Sequence, residues 1–232
     1  YYKQVFCSAL SYDADGNLWM AQSMLPSAPF LIRKPDGKWL ELDYESFRET
    51  SLIDKILHHS SGIKLVSSRR LERRGVFCID MKGTERTTDD KTRLLQDFVN
   101  QDNTPYLPDQ FFCLCEDLEG MVWVGTSAGL FVIEDVTKVF DKDFHFTQIK
   151  INRNDGSGLA DYLFNDVAIS CIAIDAANRK RPHSVLMCIN GHHHRDFVRL
   201  RKNVLYFDIG KGSDYLYHGQ NNFIGVHTGD QL

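Results

Sequence analysis

An arginine cluster in the middle of the chain could bind an anionic ligand. Arg69, Arg70, Arg73 and Arg74 lie close together in the sequence. Guanidinium groups bind phosphate and carboxylate oxygens in pairs, so the cluster could contact an anion such as lipopolysaccharide. A solvated, charged loop is the simpler interpretation. The four arginines are therefore the ligand-binding candidates, with the loop as the alternative.

Two other segments contain groups that bind metals. The run from Asp13 to Asn17 resembles part of a calcium loop, but the late glutamate of such a loop is missing. His192 and His194 would share one face of a strand, yet only Asp196 lies near enough to add a ligand. We therefore predict a simple turn at the first segment, an exposed irregular tract at the second, and no bound metal.

The six cysteines show no C-x-x-C pair, so the common zinc and redox patterns are absent. Cys113 and Cys115 would point to the same face of a strand. We interpret them as small buried hydrophobic residues, with a disulfide or redox role as the alternative.

Familiar catalytic motifs are missing from the sequence. It contains no Gly-x-Ser-x-Gly elbow, no phosphate-binding loop and no H-E-x-x-H. The segment Ser11 to Trp19 comes near the Asp-box of sialidase propellers, but its Asp-to-Gly gap is one residue too long. Triads assemble in space and leave no linear signature. We predict a non-enzyme without catalytic residues or cofactors, and keep a propeller hydrolase as a minor alternative that would need two facing carboxylates.

Composition limits the class of protein. Hydrophobic residues make up 43% and charged residues 25%, which is ordinary for a globular chain, and the net charge is −4. The sequence has no basic stripe of the kind that indicates nucleic-acid binding. No apolar run approaches the roughly 18 residues that are needed to span a bilayer. The first residues have the pattern of a strand that has already begun, so we expect the chain to be a fragment or a mature segment.

A repeated turn followed by a tryptophan organises the chain. Asp-Gly and Glu-Gly turns supply the positive φ of a tight hairpin, and a tryptophan three residues later begins the next strand. That ring could fill the gap between neighbouring sheets. The residues assigned to this structural repeat are Asp15, Gly16, Trp19, Asp117, Gly120, Trp123, Gly125, Thr126 and Gly129.

Spacings of about 50 residues between repeated strands are typical of propeller blades. The run from Gly75 to Asp80 matches the run from Gly129 to Glu134. We predict an all-β fold, a partial β-propeller of about four four-stranded blades divided near residues 56, 112 and 169, with a sandwich as the alternative. Residues 50–60 could form a helical turn or an irregular strand, and residues 87–100 have the spacing of a short amphipathic helix.

The run from Asp117 to Leu130 resembles the two-component regulator propeller repeat of Bacteroidetes proteins. Thr147–Lys150, Arg153–Gly156, Ala160–Leu163 and Ile172–Lys180 are similar to segments of PorZ-like proteins. The resemblance covers roughly residues 5–180, which we assign to propeller blades. The family would continue Trp-hydrophobic-Gly-Thr after Lys180, whereas this chain reads Arg-Pro-His-Ser. We therefore interpret residues 181–232 as a divergent or truncated last blade.

The resemblance implies a location and a kind of partner. Members of the PorZ-like family are secreted across the outer membrane and lie on the cell surface. The best-known member belongs to the attachment complex of type IX secretion, where it binds a protein partner and lipopolysaccharide and is not itself a catalyst. The same repeats occur in periplasmic sensors of hybrid two-component systems, which recognise oligosaccharides. We expect a cell-surface scaffold or recognition module, with the oligosaccharide sensor as the alternative.

Overall fold

The computed structural model describes residues 6–23, 27–47, 53–68, 74–152, 157–174, 185–189, 197–201, 204–208 and 223–226. In this part of the chain the regular structure is β-strand apart from two short 3₁₀ turns, Glu45–Phe47 and Val136–Phe140. The strands are β1 (Phe6–Tyr12), β2 (Leu18–Ser23), β3 (Phe30–Arg33), β4 (Trp39–Leu42), β5 (Ile53–His58), β6 (Lys64–Ser68), β7 (Gly75–Asp80), β8 (Lys91–Leu95), β9 (Phe98–Val99), β10 (Pro105–Tyr106), β11 (Phe111–Glu116), β12 (Val122–Thr126), β13 (Gly129–Ile133), β14 (Lys150–Asn152), β15 (Ala160–Tyr162), β16 (Ile169–Ile174), β17 (Val185–Ile189), β18 (Phe197–Arg201), β19 (Val204–Asp208) and β20 (Phe223–Val226).

The first sheet is a four-stranded antiparallel meander of β1, β2, β3 and β4. Side chains alternate between its two faces, as the pleat requires. Trp19 pairs with Ser11 and Ile32, and this row is mainly buried. Its neighbour Leu18 pairs with Arg33 on the opposite face.

The second sheet repeats this order with β5, β6, β7 and β8. The predicted helix within residues 87–100 is wrong, because Lys91–Leu95 forms β8 and pairs along its whole length with β7. The backbone hydrogen bonds between β8 and the edge of β7 outweigh a weak helical pattern of three apolar residues. Within residues 50–60, Ile53–His58 is the irregular strand, with a register shift between Ile53 and Lys55.

The first two sheets pack face to face. The first sheet contributes Trp19, Phe30 and Ile32 to a shared core, and the second contributes Val66 and Phe77. Close packing of this kind follows from burying one apolar face of each sheet against the other. The shared core consists of Trp19, Ala21, Phe30, Ile32, Leu42, Tyr44, Phe47, Ile53, Ile56, Val66, Phe77 and Ile79.

The third sheet contains β11, β12 and β13. Where a fourth strand would lie, Val132 pairs with Thr147 in an isolated bridge, with N–H···O distances of 2.8 and 2.9 Å. The fourth strand is thus reduced to one residue pair within the described chain. A core containing Trp123, Leu130 and Ile169 lies beside this sheet.

The remaining strands form smaller sheets. β9 pairs with β10, β14 with β15, and β18 with β19, while β16, β17 and β20 form a three-stranded sheet. The chain divides into two compact units. The first comprises Tyr1–Phe98, Asp109–Phe111 and Val136–Phe144, and the second comprises Val99–Pro108, Phe112–Asp135 and His145–Leu232.

Candidate functional site

The turn between β1 and β2 is held together by Asp13. The Gly16 N–H donates to the Asp13 carbonyl at 3.1 Å, and Gly16 has a φ of 78°. The Asp13 carboxylate accepts the backbone N–H groups of Asp15 and Asn17 and, at 2.9 Å, the Trp19 indole N–H. Asp13, rather than the predicted Asp15, therefore connects the turn to the ring, because only its carboxylate faces both.

Asp117 makes the same set of bonds before β12. Its carboxylate accepts the N–H groups of Glu119 and Met121, and its Oδ2 accepts the Trp123 indole N–H at 2.9 Å. Gly120 again has positive φ, at 86°. Internal donors therefore engage the carboxylates of both turns.

Sequence reasoning missed two further copies of this turn. The Gly62 N–H donates to the His59 carbonyl, and the His59 Nδ1 accepts the Ser61 N–H. Asn100 likewise accepts the N–H groups of Asp102 and Thr104. The sequence signal for these turns is a side chain at the first position that can accept backbone N–H groups. Because His and Asn can fill that role, a search for Asp alone did not find them.

A cleft of about 610 Å³ lies between the first and second sheets, at the end where the β1–β2, β3–β4, β5–β6 and β7–β8 connections meet. Its volume is that of a ligand-binding cleft. The lining residues are Asp13, Asp15, Asn17, Trp19, Ile32, Lys34, Leu40, Ser61, Gly62, Lys64, Asp80, Met81, Lys82, Gly83, Thr84 and Glu85.

Several charges in the cleft are paired with each other. Lys34 forms an ion pair with Glu85 that crosses from the first sheet to the second, and Lys82 pairs with Asp80. Burial acts to raise the pKa of Asp80, but the hydrogen bonds and charge of Lys82 outweigh it and hold that pKa below its usual range. Burial and internal hydrogen bonds oppose each other in the same way at Asp13, whose pKa is also lowered.

At Trp19, which lines the cleft, an aromatic contact joins the two sheets. The rings of Trp19 and His58 meet edge to face with centroids 5.2 Å apart, and Ser11 Oγ is hydrogen-bonded to His58 Nε2 at 2.7 Å. Lys64 Nζ lies 5.9 Å from the centre of the Trp19 ring and donates to the Gly62 carbonyl. Burial and the Lys64 charge lower the pKa of His58 to about 4, so the ring is neutral at pH 7.

The arginine cluster is described only in part. Arg74 donates to Asp109 Oδ1 at 2.9 Å as an ion pair. Arg69, Arg70 and Arg73 lie outside the described residues. The structure therefore brings Arg74 to a carboxylate, and the role of the cluster in anion binding stays a prediction.

The other repeat residues support the third sheet. Thr126 Oγ1 donates to the Gly129 carbonyl at 2.9 Å and closes the turn between β12 and β13. A Cβ on Gly129 would lie 2.6 Å from the Phe164 carbonyl oxygen, so the backbone passes too closely there for a side chain. Cys113 is buried as a free thiol and donates to the Ile169 carbonyl.

The described part of the chain offers neither a cluster of metal ligands nor a membrane-spanning helix. No group of three or more His, Cys, Asp or Glu side chains there is placed to hold a metal ion. The predicted histidine tract His192–His194 lies outside that part. No helix among the described residues is long and apolar enough to cross a bilayer.

Comparison with solved structures identifies the architecture. The chain superposes on PorZ, a surface component of the type-IX secretion system of Porphyromonas gingivalis, with a TM-score of 0.67 and 20% identity. The match covers 80% of this chain and 25% of the PorZ chain. The fold is of the β-propeller type. The predicted all-β propeller fold with four-stranded antiparallel sheets is therefore confirmed.

Other propeller structures match more distantly. The extracellular domain assigned to a one-component system of B. thetaiotaomicron matches 87% of this chain and 24% of its own, with 13% identity and a TM-score of 0.47. A gluconolactonase from Xanthomonas campestris matches 81% of this chain and 56% of its own, with 14% identity and a TM-score of 0.46. Neither a protein-family model nor a curated protein sequence matches the chain.

The chain spans about a quarter of the length of the PorZ chain that it matches. Because a fold hosts many functions, the similarity concerns architecture. The function of the whole PorZ protein is therefore not assigned to these residues.

Proposed function

We propose that this chain is a non-enzymatic scaffold and recognition module of the cell surface, which binds protein partners and a surface glycolipid. The observation that carries the proposal is the cleft between the first two sheets. It has the volume of a ligand-binding cleft, and its lining combines polar and charged residues with the apolar side chains of Trp19, Ile32, Leu40 and Met81. Such a lining can hold hydroxyl and phosphate groups of a glycan while excluding water from its ring faces.

The electrostatics of the cleft support binding rather than catalysis. Glycoside hydrolysis needs one carboxyl group held protonated and a second one ionised. In this cleft the pKa values of Asp13 and Asp80 are both lowered, and Glu85 is paired with Lys34. Carboxylates held by hydrogen bonds and lysines are suited to positioning a ligand and poorly suited to donating a proton.

The location on the cell surface is proposed from the architecture. PorZ, the structure with the TM-score of 0.67, is named as an essential surface component of a secretion system. A propeller-type module with exposed connections between its strands suits the same kind of scaffold role, because loops can vary without disturbing the sheets.

An oligosaccharide-sensing module of the periplasm is the second candidate. The cleft favours it in one respect, since Asn17, Ser61 and Thr84 offer neutral donors and acceptors beside the charged groups. Sugar hydroxyls both donate and accept hydrogen bonds, so a mixed lining fits a neutral glycan as well as an acidic one. The two candidates differ in the charge of the ligand.

Calorimetric titration of the purified chain tests the proposal and separates the candidates. Lipopolysaccharide, its delipidated glycan and neutral oligosaccharides are the probes. We expect lipopolysaccharide to bind and Lys82→Ala to weaken binding by about tenfold, the size of one lost charged hydrogen bond. Lys38→Ala is the matched control, because Lys38 lies on a neighbouring turn but does not line the cleft.

The outcomes are distinct. Binding of neutral oligosaccharides alone would favour the sensor. Absence of binding by every probe, or equal effects of Lys82→Ala and Lys38→Ala, would contradict a recognition role for the cleft. Release of free sugar from any probe would contradict the non-enzymatic assignment.

A further inference from the structure

The charged side chains of the cleft limit how an anionic ligand could bind there. Carboxylates outnumber lysines among the described residues that line it, and these residues are Lys34, Lys64, Lys82, Asp13, Asp15, Asp80 and Glu85. Each lysine is already in contact with an oxygen atom of the protein. An anionic ligand therefore gains a cation in this cleft only by replacing a partner that the protein itself supplies.

Two of the lysines are held by contacts within their own turns. Lys64 Nζ donates to the Gly62 carbonyl at 2.9 Å, and its half-buried side chain lies near the Trp19 ring. Lys82 pairs with Asp80, whose Oδ1 also accepts the Lys82 backbone N–H at 3.1 Å. Local bonds between a side chain and the backbone form part of the turn itself. A ligand would have to compete with contacts that the turn keeps in place.

Lys34 differs because its partner comes from the other sheet. The β3–β4 turn fixes its backbone, since the Lys34 N–H donates to the Lys38 carbonyl at 2.8 Å and the Gly37 N–H donates to the Lys34 carbonyl at 2.9 Å. Its ammonium group pairs with Glu85 of the β7–β8 connection. The Lys34 side chain is 28% exposed, whereas that of Glu85 is 62% exposed. Glu85 is therefore the member of the pair that a ligand can reach and displace.

The ion pair between Lys34 and Glu85 can be exchanged at little cost. A solvent-exposed lysine–glutamate pair adds little stability, because water screens the charges and two long side chains lose freedom. A phosphate group carries up to about two negative charges and three acceptor oxygens. It can therefore outcompete a single carboxylate for the same ammonium group, whereas a ligand carboxylate would only match Glu85.

We propose, building on the function proposed above, that Lys34 is the phosphate-binding residue of the cleft and that Glu85 occupies its place until a phosphorylated glycan replaces it. Glu85 is an internal competitor, so a glycan without phosphate does not displace it. The exchange breaks one ion pair and forms another, and no covalent bond changes. The Tyr44 hydroxyl still donates to Asp90 Oδ2 at 2.5 Å, which keeps the end of the β7–β8 connection attached when Glu85 leaves.

Calorimetric titration with the delipidated glycan of lipopolysaccharide, before and after phosphatase treatment, tests the proposal. Glu85→Gln keeps the size of the side chain and removes its charge, so it should bind the phosphorylated glycan about fivefold more tightly than the parent. The dephosphorylated glycan should bind the parent and this variant equally. Lys34→Gln should weaken binding of the phosphorylated glycan by about tenfold, the size of one lost charged hydrogen bond.

Asp15→Asn is the matched control for charge. Asp15 is an exposed residue of the same cleft and forms no ion pair among the described residues. This variant removes one negative charge without releasing a lysine, so it should raise the affinity by no more than about twofold. The double variant Lys34→Gln/Glu85→Gln should bind as weakly as Lys34→Gln alone, because Glu85 then has no lysine to release.

Equal gains from Glu85→Gln and Asp15→Asn would overturn the proposal, because the effect would then be one of net charge. A gain that persists in the Lys34→Gln background, or that the dephosphorylated glycan also shows, would overturn it as well. Binding by the parent without any gain in Glu85→Gln would overturn this assignment and leave the proposed function standing. Failure of the parent and of every variant to bind either glycan would contradict the proposed function, and this assignment with it.

Discussion

At the scale of single residues, one carboxylate organises each tryptophan-bearing turn. Asp117 is 5% exposed and accepts two backbone N–H groups together with the Trp123 indole N–H. The bonds fix the turn and orient the ring that begins the next strand. Because buried N–H groups without acceptors are costly, the aspartate is a structural element of the fold.

Replacing this carboxylate should destabilise the protein. Asp117→Ala removes the acceptor for three donors, and we expect the free energy of unfolding to fall by about 3 kcal/mol. Asp117→Asn keeps one acceptor oxygen and should lose less. Urea denaturation measures both. Asp15→Ala is the control, because Asp15 lies exposed in the corresponding turn before Trp19, and it should change stability by less than about 0.5 kcal/mol.

The ionisation of His58 should affect the stability of the folded protein. Its pKa in the folded protein is about 4, against an ordinary value of 6.5, because burial and the Lys64 charge disfavour the imidazolium. Its Nδ1 is buried without a hydrogen-bond partner among the described groups, so a proton there would be unsatisfied. The neutral ring is therefore the form that the two sheets accommodate.

The sign of the pH dependence follows from this shift. Between pH 6.5 and about 4 the unfolded chain binds a proton at residue 58 that the folded protein does not, so stability falls as the pH is lowered through this range. Urea midpoints measured from pH 7 to pH 4 should show a smaller loss for His58→Gln than for the parent. His145→Gln, at an exposed histidine, is the control. Equal pH slopes in all three proteins would contradict the assignment.

At the scale of the elements, strand β12 depends on a glycine for close packing. A Cβ on Gly125 would lie 2.6 Å from the Ile169 carbonyl oxygen and closer still to Cys113 Sγ. Backbone carbonyls cannot move aside as a flexible side chain can. The approach of β16 to β12 therefore requires the absence of a side chain at this position.

Gly125→Ala should therefore cost about 3 kcal/mol of folding free energy through overpacking. Gly62→Ala is the comparison, because a Cβ at Gly62 meets nothing within 4 Å although its φ is +91°. That variant should lose only about 1 kcal/mol, from the left-handed backbone. Thermal and urea denaturation distinguish the two. A smaller loss for Gly125→Ala than for Gly62→Ala would show that β12 and β16 can separate without cost.

At the scale of the whole molecule, the cleft depends on one face of the first sheet and on the connections that meet at its end. The cleft is lined by Trp19, Ile32 and Leu40, which share the row that turns toward the second sheet. Leu10 and Trp39 belong to the opposite face of the first sheet. Since side chains alternate along a strand, a substitution on that opposite face should not alter the cleft. Calorimetric titration should therefore show unchanged ligand binding for Leu10→Lys.

The sequence by itself determined the features that repeat locally. The Asp-x-x-Gly turn before Trp123, the strand Gly129–Ile133 and the all-β class all depend on short-range patterns, because a tight turn and an alternating strand are specified by their own residues. The turns headed by His59 and Asn100 were missed because different side chains can accept the same backbone N–H groups.

Only the tertiary structure decided what depends on neighbours. Lys91–Leu95 is a strand because the edge of β7 offers a ladder of backbone groups, which its own sequence does not reveal. The cleft exists because four connections from two sheets meet at one end, and its pairing of Lys34 with Glu85 joins residues far apart in sequence.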